Sequence, residues 1–194
     1  MPTARQTNKE RSATTRAALI RHGRALFVAH GYAGTSTPQV AEAAGVSRGA
    51  LYHQFEDKQA LFRAVLEAES VAVADAIEAD AAQAGEGLAG LVAGAKAYMR
   101  AMRTPGRTRL LLVEGPSVLG VAEMKAMDEA TSGRTLREGL EETRPSAAPD
   151  RMAIMTDLLA AAFDRAALAV EAGGDEVAYA EAIEDLMNAA LEGL

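Results

Sequence analysis

The sequence predicts an all-α protein. Its 194 residues are 49% hydrophobic but include only four Tyr, four Phe and no Trp. The abundant alanine favours helices over aromatic-rich sheets. Apolar residues recur with helical spacing along most of the chain, and no segment shows the alternation of a half-buried strand. Glycine and proline divide this pattern into about nine helices.

The first predicted helix covers residues 13–30. A polar, basic arm, residues 1–12, precedes it and contains no apolar stretch that would act as a secretory signal. Leu19, Leu26 and Phe27 share one face of the helix. The following glycine ends the helix as a C-cap.

Residues 36–55 contain two short helix signatures separated by a tight turn. Ser36 and Gln39 match a capping box at the start of the first helix. Gly45 supplies a left-handed turn, and Ser47 caps the second helix. The predicted helices span residues 37–44 and 48–54. This pattern is typical of a helix-turn-helix whose second helix enters the DNA major groove.

The other predicted helices are longer and contain more acidic residues. They cover residues 58–83, 88–104, 107–114, 118–143, 150–172 and 176–194. We expect Gly115-Pro116 to break the chain after residue 114, and Ser132-Gly133 is a candidate interruption. Residues 85–90 match G-x-G-x-x-G, but no strand precedes them, so an interhelix turn is predicted. Gly173-Gly174 should turn the last two helices antiparallel.

Charge is distributed unevenly. The first 63 residues carry nine Lys or Arg and four Asp or Glu, a net charge of +5, whereas the remaining residues carry −12. A basic module attracts DNA phosphates and an acidic body is repelled by them, which would orient binding. Chance asymmetry of a solvated surface is the alternative interpretation of the same numbers.

Several classes of site are disfavoured by composition. Cysteine is absent, which excludes disulfides, thiolate metal sites and cysteine nucleophiles. The three histidines form no metal-ligand constellation, and no hydrolase, metalloprotease or phosphate-loop motif is present. No apolar run approaches the roughly 18 residues that a membrane span needs. We therefore predict no enzyme activity, no cofactor, no metal and a cytoplasmic location.

The helix-turn-helix geometry assigns roles to individual residues. Arg48 is best suited to read guanine, while Gly49 and Ala50 allow close approach to the bases. Side chains at the helix N-termini and on the outer face of the second helix are predicted to contact phosphates. These residues are Thr37, Ser47, Tyr52, His53 and Lys58, and Ser36 at the N-cap of the first helix is a further candidate for DNA binding. The alternatives are a packing role for Tyr52 and a solvated surface position for Arg48.

The same segment resembles the DNA-binding domain of the TetR family of bacterial transcriptional regulators. The resemblance covers residues 13–66. It rests on Leu26-Phe27, Gly31-Tyr32, Thr35-Ser36, Val40-Ala41, Ala44 to Ser47, Gly49, Leu51-Tyr52, Phe55, Lys58 and Leu61. Gln54 departs from the family pattern, where an aromatic or histidine is common. The resemblance implies a three-helix DNA-binding head and, over residues 67–194, a helical body that binds an effector and dimerises.

This family likeness implies a homodimeric repressor that a small molecule releases from a palindromic operator. The dimer would form through the last two helices, and an apolar or aromatic effector would enter the body. The candidate pocket residues are Tyr98, Met99, Met102, Met155 and Phe163. The alternatives are a helical small-molecule-binding protein or enzyme with a vestigial head, a ligand-independent architectural DNA binder, and activation in place of repression.

Overall fold

The computed structural model describes residues 8–194, and within that range the chain forms helices without any strand. The all-α prediction is confirmed. The chain divides into an N-terminal unit that ends at Glu67 and a C-terminal unit that spans Ala68–Leu194. None of the helices between residues 8 and 194 has the length and apolarity needed to cross a membrane.

Four helices belong wholly or partly to the N-terminal unit. They are α1 (Asn8–Gly34), α2 (Thr37–Ala43), α3 (Arg48–Gln54) and the beginning of α4 (Lys58–Ala84). The C-terminal unit continues with α5 (Leu88–Met102), α6 (Arg107–Arg109), a π-helical turn (Leu110–Glu114), α7 (Gly115–Leu119), α8 (Val121–Glu129), α9 (Ser132–Thr143), α10 (Pro149–Glu171) and α11 (Glu176–Glu192).

The described part of helix α1 reaches back to Asn8, five residues before the predicted start. Residues 9–11 are good helix formers, and the Arg11 guanidinium donates to Asn8 Oδ1 over 2.6 Å. Residues 8–12 of the predicted arm are therefore helical, and residues 1–7 lie outside the described part of the chain. Gly31 adopts φ 72° and interrupts the helix where the C-cap was predicted.

The core of the N-terminal unit joins its helices through side chains that solvent does not reach. Leu19, Phe27, Val40, Leu51 and Phe62 are fully buried. The rings of Phe27 and Phe62 meet edge to face, with centroids 4.9 Å apart. Burying large apolar side chains of this kind contributes about 1.5–3 kcal/mol each, so this cluster fixes how α2 and α3 lie on α1.

The core of the C-terminal unit lies among α5, α9, α10 and α11. Its centre is formed by Leu91, Leu140, Leu159 and Met187. Helices α10 and α11 pack against each other after a turn in which Gly173 adopts φ 94°. The predicted helix pair is thus present. The segment from residue 85 to 87 is a turn between α4 and α5, as predicted for the G-x-G-x-x-G sequence.

One expectation about breaks in the C-terminal unit was wrong, and the interruption expected at Ser132-Gly133 lies directly before these residues. The helix does not stop at Gly115-Pro116, because the π-helical turn before it lets Gly115 N donate to Leu110 O, five residues back. The wider turn accommodates a proline, which has no N–H to donate and crowds the preceding turn of a regular helix. The chain instead bends at Gly120 and again at Ala130-Thr131.

Candidate DNA-binding surface and ligand cavity

The start of α2 is fixed by a side chain three residues into the helix. Gln39 Oε1 accepts hydrogen bonds from Ser36 N over 2.9 Å and from Ser36 Oγ over 2.7 Å. The preceding residue, Thr35, is buried and donates from its hydroxyl to Gly31 O and Leu26 O at the end of α1. Thr35 therefore joins the two helices, a role that the sequence did not suggest.

The turn between α2 and α3 has the predicted geometry. Gly45 adopts φ 67°, and Val46 N donates to Ala41 O over 3.0 Å. Ser47 Oγ accepts from Ala50 N over 3.1 Å, which caps α3. Since Leu51 and Phe55 are both buried, they hold the inner face of α3 against the unit.

The opposite face of α3 is open to solvent. Arg48, Gly49, Tyr52 and His53 are exposed, and Ala50 is half-buried beside them. Although 53% of the Tyr52 surface is exposed, its hydroxyl shares a hydrogen bond of 3.0 Å with Thr37 Oγ1 at the start of α2. The structure thus brings the predicted α3 residues together on one exposed face, with Thr37 next to Tyr52.

Lys58 is already engaged by the protein backbone. Its Nζ donates to Tyr32 O over 2.9 Å and to Thr35 O over 3.0 Å, and it lies 4.1 Å from the centroid of the Tyr32 ring. An ammonium group has three N–H donors, so two of them hold the segment before α2. The structure therefore gives Lys58 a positioning role in addition to the predicted phosphate contact.

The C-terminal end of α3 is attached to α1 by polar contacts that sequence reasoning missed. Gln54 Nε2 donates to Ser12 Oγ over 2.7 Å. Arg16 donates to Gln54 O over 3.2 Å, and its guanidinium lies 4.4 Å from the centroid of the Phe55 ring. The departure from the family pattern at Gln54 thus serves helix attachment, since its side chain points to α1.

The C-terminal unit contains a cavity of about 480 Å³ between α4, α5, the end of α8, α9 and α10. This volume is within the range of about 300–1,000 Å³ that is usual for small-molecule sites. Its apolar wall is formed by Ile77, Leu91, Leu136 and Phe163. A ligand with an apolar or aromatic body would fit such a wall.

A polar group lies at the aromatic end of the cavity. Tyr98 donates from its hydroxyl to Asp164 Oδ1 over 2.5 Å, and its ring meets that of Phe163 edge to face at 5.4 Å. Asp128, which also lines the cavity, accepts from Ser132 Oγ over 2.7 Å. The sequence shows no local link between Tyr98 and Asp164, because they are 66 residues apart.

Burial raises the pKa values of three groups in the cavity wall, the carboxyls of Asp164 and Asp128 and the hydroxyl of Tyr98. It raises the pKa of Asp164 to about 6, and the nearby charge of Asp128 adds to this. Burial also raises the pKa of Asp128, although its hydrogen bonds from Ser132 and Gly133 oppose the shift. The pKa of Tyr98 is raised well above its ordinary value by burial and then by the Asp164 charge. Such shifts in a cavity are typical of functional sites.

The structure places only two of the five predicted pocket residues, Tyr98 and Phe163, in the cavity wall. Met99 and Met102 are buried on α5 outside this lining. Met155 packs against the core cluster of α5, α9, α10 and α11. Met99 and Met102 instead line a smaller cavity of about 180 Å³. Helical spacing alone did not separate these positions from the wall of the larger cavity, because packing and lining faces have the same periodicity.

Two matches to protein families cover most of the chain. Residues 19–65 match the model described as bacterial regulatory proteins, tetR family. Residues 88–194 match the model described as tetracyclin repressor-like, C-terminal domain. Among characterised proteins, the HTH-type transcriptional repressor AcnR of Corynebacterium efficiens is 32% identical over 68 residues, which are 35% of this chain and 36% of AcnR. The match thus spans about a third of that relative.

Similar solved structures extend over nearly the whole chain. A TetR-family transcriptional regulator from Pectobacterium atrosepticum is 27% identical with a TM-score of 0.70, and the match covers 97% of each chain. RolR, in complex with its ligand resorcinol, has a TM-score of 0.67 at 16% identity, with 95% of each chain covered. The second likeness shows a shared fold alone.

Proposed function

Because the chain belongs to the TetR family of bacterial regulatory proteins, we propose that it is a homodimeric transcriptional repressor, released from a palindromic operator by a small molecule. The observation that carries this proposal is the exposed face of α3, held by the buried Leu51 and Phe55 and framed by the α2 N-terminus. As a member of this family, the protein is a transcriptional regulator and not an enzyme.

The proposed DNA contacts follow from the position of each side chain on that face. Arg48 lies at the first position of α3, from which a guanidinium reaches a guanine edge in the major groove. Gly49 and Ala50 leave room for that approach. Phosphates are contacted by side chains around this edge, namely Thr37, Ser47, Tyr52, His53 and Lys58, with Ser36 as a further DNA-binding residue at the start of α2.

Binding of the full chain to DNA from upstream of its own gene tests this assignment. Affinity is measured by fluorescence anisotropy against a scrambled duplex of the same length, at several salt concentrations. Arg48→Ala should cost about 1–3 kcal/mol and weaken discrimination between bases, whereas Arg137→Ala, an exposed arginine on α9, should change nothing. Equal affinity for the two duplexes would refute a sequence-specific regulator.

The proposed dimer uses α10 and α11. Ile154 and Leu158 on α10 and Leu186 on α11 are large apolar residues with 46–62% of their surfaces exposed. Ala161 and Ala189 are exposed on the same two helices and would permit close helix approach. A second copy that packs on this surface by two-fold symmetry would bury it.

A charged residue on that surface should separate the copies. Leu158→Glu is expected to give a monomer in size-exclusion chromatography with light scattering, because an unpaired carboxylate cannot be buried in an apolar contact. Leu88→Glu is the matched control, since Leu88 on α5 is 48% exposed. A Leu158→Glu protein that keeps the mass of the wild type would contradict the proposed interface.

The effector is proposed to bind in the 480 Å³ cavity of the C-terminal unit. Its size and its apolar wall support an organic molecule with an apolar or aromatic body. The complex of RolR with resorcinol supports a small aromatic ligand in a protein of this fold. Loss of operator affinity on addition of the effector, measured in the anisotropy assay, is the expected response.

A further inference from the structure

The charge of the cavity wall has one sign. Six carboxylates line the cavity, and the lining contains neither lysine nor arginine. The acidic residues are Glu78, Glu86, Asp128, Glu138, Glu142 and Asp164. In a concave site with low-dielectric walls, charges of one sign focus the field and attract molecules of the opposite sign. A cation is thus favoured at the entrance before it makes any contact.

The carboxylates nearer solvent are partly compensated by the protein. Arg134 donates to Glu78 Oε1 over 2.5 Å and to Glu138 Oε2 over 3.0 Å. Glu142 accepts a hydrogen bond of 3.1 Å from Gly87 N. These three acidic residues therefore have partners that hold them in the wall without a ligand.

Asp164 and Asp128 are compensated in a different way. Neutral groups donate to them, the Tyr98 hydroxyl to Asp164 and the Ser132 hydroxyl to Asp128. Among the described residues, no lysine or arginine forms an ion pair with either carboxylate, although the nearby charge of Lys125 slightly opposes the rise in the pKa of Asp128. Both charges are kept in a largely buried site where burial opposes ionisation. A fixed carboxylate in such a site interacts most strongly with a cation that is also removed from water.

We propose that the effector is an organic cation, whose protonated nitrogen pairs with Asp164 and Asp128 and whose apolar or aromatic body lies against Phe163, Tyr98 and Leu136. The Tyr98 ring meets Phe163 edge to face, and its hydroxyl is hydrogen-bonded to Asp164. All three residues line the cavity, so one ligand can touch both the carboxylate and the aromatic rings. Aromatic faces also attract cations. This inference rests on the proposed role of the cavity as the effector site.

A neutral hydrogen-bond donor would gain less from the same site. Tyr98 already supplies a phenolic hydroxyl to Asp164, so a second hydroxyl would share an acceptor without balancing its charge. An anion would be repelled by both carboxylates. The order of affinity should therefore be cation, neutral molecule, anion for ligands of one shape.

Three naphthalene compounds of nearly equal shape test this order. They are 1-naphthylmethylamine, which is protonated at pH 7.5, 1-naphthalenemethanol and 1-naphthoate. Their binding to the full chain is measured by calorimetry and by naphthalene fluorescence. We expect the amine to bind about tenfold or more tightly than the alcohol, and the carboxylate to bind most weakly, because close charge pairs out of water are strongly coupled.

Variants then locate the charge. The double variant Asp164→Asn/Asp128→Asn keeps the shape of both side chains and should reduce the preference for the amine over the alcohol to about threefold or less, with unchanged alcohol affinity. The control is Glu181→Gln, which removes an exposed carboxylate of α11 outside the cavity. It should leave all three affinities unchanged.

The possible results distinguish failure of the cationic effector from failure of the cavity as the effector site. If the alcohol or the carboxylate binds as tightly as the amine, or if the double variant keeps the preference, the cationic effector is refuted while the cavity remains the effector site. If none of the three compounds binds at millimolar concentration, the proposed effector site fails together with this inference.

Discussion

Replacement of Asp164 by asparagine should stabilise the ligand-free protein at neutral pH. The carboxylate is largely buried and its pKa is raised to about 6, so folding disfavours its ionised form. Asparagine has the same shape and still accepts the Tyr98 hydroxyl, whose hydrogen bond to Asp164 measures 2.5 Å. The variant therefore removes a buried charge without removing its packing or its hydrogen bond.

The magnitude follows from the pKa difference. An aspartate in the unfolded chain has a pKa of about 3.9, and each unit corresponds to about 1.36 kcal/mol. A folded pKa of about 6 thus gives an upper limit of about 3 kcal/mol. Since the side chain is not completely removed from solvent, we expect a gain of about 1–2 kcal/mol.

The pH dependence has a definite sign. Because the folded pKa of Asp164 is higher than the unfolded value, the folded state binds the proton more tightly. The stability that is lost by burying ionised Asp164 has its full value above about pH 6. It disappears as the pH falls from about 6 to about 4. The gain of Asp164→Asn over the wild type should therefore be largest at pH 8 and small near pH 4.

Urea unfolding monitored by circular dichroism, at one protein concentration between pH 4.5 and 8, measures the difference. Glu181→Gln is the control, since Glu181 is exposed on α11 and its removal should give no comparable pH-dependent gain. A variant that is less stable than the wild type throughout pH 6–8 would refute the placement of an uncompensated charge at Asp164.

Three further substitutions test contacts on which the two units depend. Arg107→Ala should destabilise the protein by about 3–5 kcal/mol, because its buried guanidinium pairs with Glu69 at 2.9 Å; unfolding in urea measures this, and a loss below about 1 kcal/mol would contradict it. Ser47→Ala should cost about 1 kcal/mol of stability by removing the α3 cap, which a shift of the urea midpoint would report. Tyr52→Phe removes the hydroxyl that is proposed to contact a phosphate and should weaken operator binding by about 1 kcal/mol; because its hydrogen bond to Thr37 is exposed, the urea midpoint should change little, and undiminished affinity would assign Tyr52 to packing alone.

The helix-turn-helix segment was predictable because neighbouring residues specify its caps and its turn. Ser36 with Gln39, Gly45 and Ser47 each specify a cap or a turn within four residues, and the structure has all of these contacts. The outer face of α3 then follows from the buried position of Leu51. What remained hidden was the attachment of α3 to α1 through side chains far apart in sequence.

The cavity was less predictable because tertiary packing creates it. Asp164 and Asp128 come from helices that are separate in sequence. Asp164 contacts Tyr98, and the Asp128 charge acts on both groups, only after α5, α8 and α10 have packed. One feature of the sequence did point to Asp164. Ala160 and Asp164 are four residues apart, so both lie on one face of α10 beside the buried Phe163. A lone carboxylate at the edge of an apolar face marks a position where burial and charge are in conflict.

That conflict connects the stability of the C-terminal unit to the proposed ligand. A cation beside Asp164 would lower its pKa, because it favours the ionised form that burial opposes, while the charge of Asp128 and the Tyr98 hydroxyl remain in place. Near pH 6, where about half of the free protein carries a proton on Asp164, binding of the naphthylmethylammonium ion should therefore release up to about half a proton.

Calorimetry in two buffers of different ionisation enthalpy measures this release directly. The release should decline towards pH 8, where the free carboxylate is already ionised, and it should be absent from Asp164→Asn. Proton uptake near pH 6, or an equal release by the asparagine variant, would mean that the cation does not pair with this carboxylate. A measured release that follows the raised pKa would link the energetic cost of Asp164 in the free protein to recognition of the ligand.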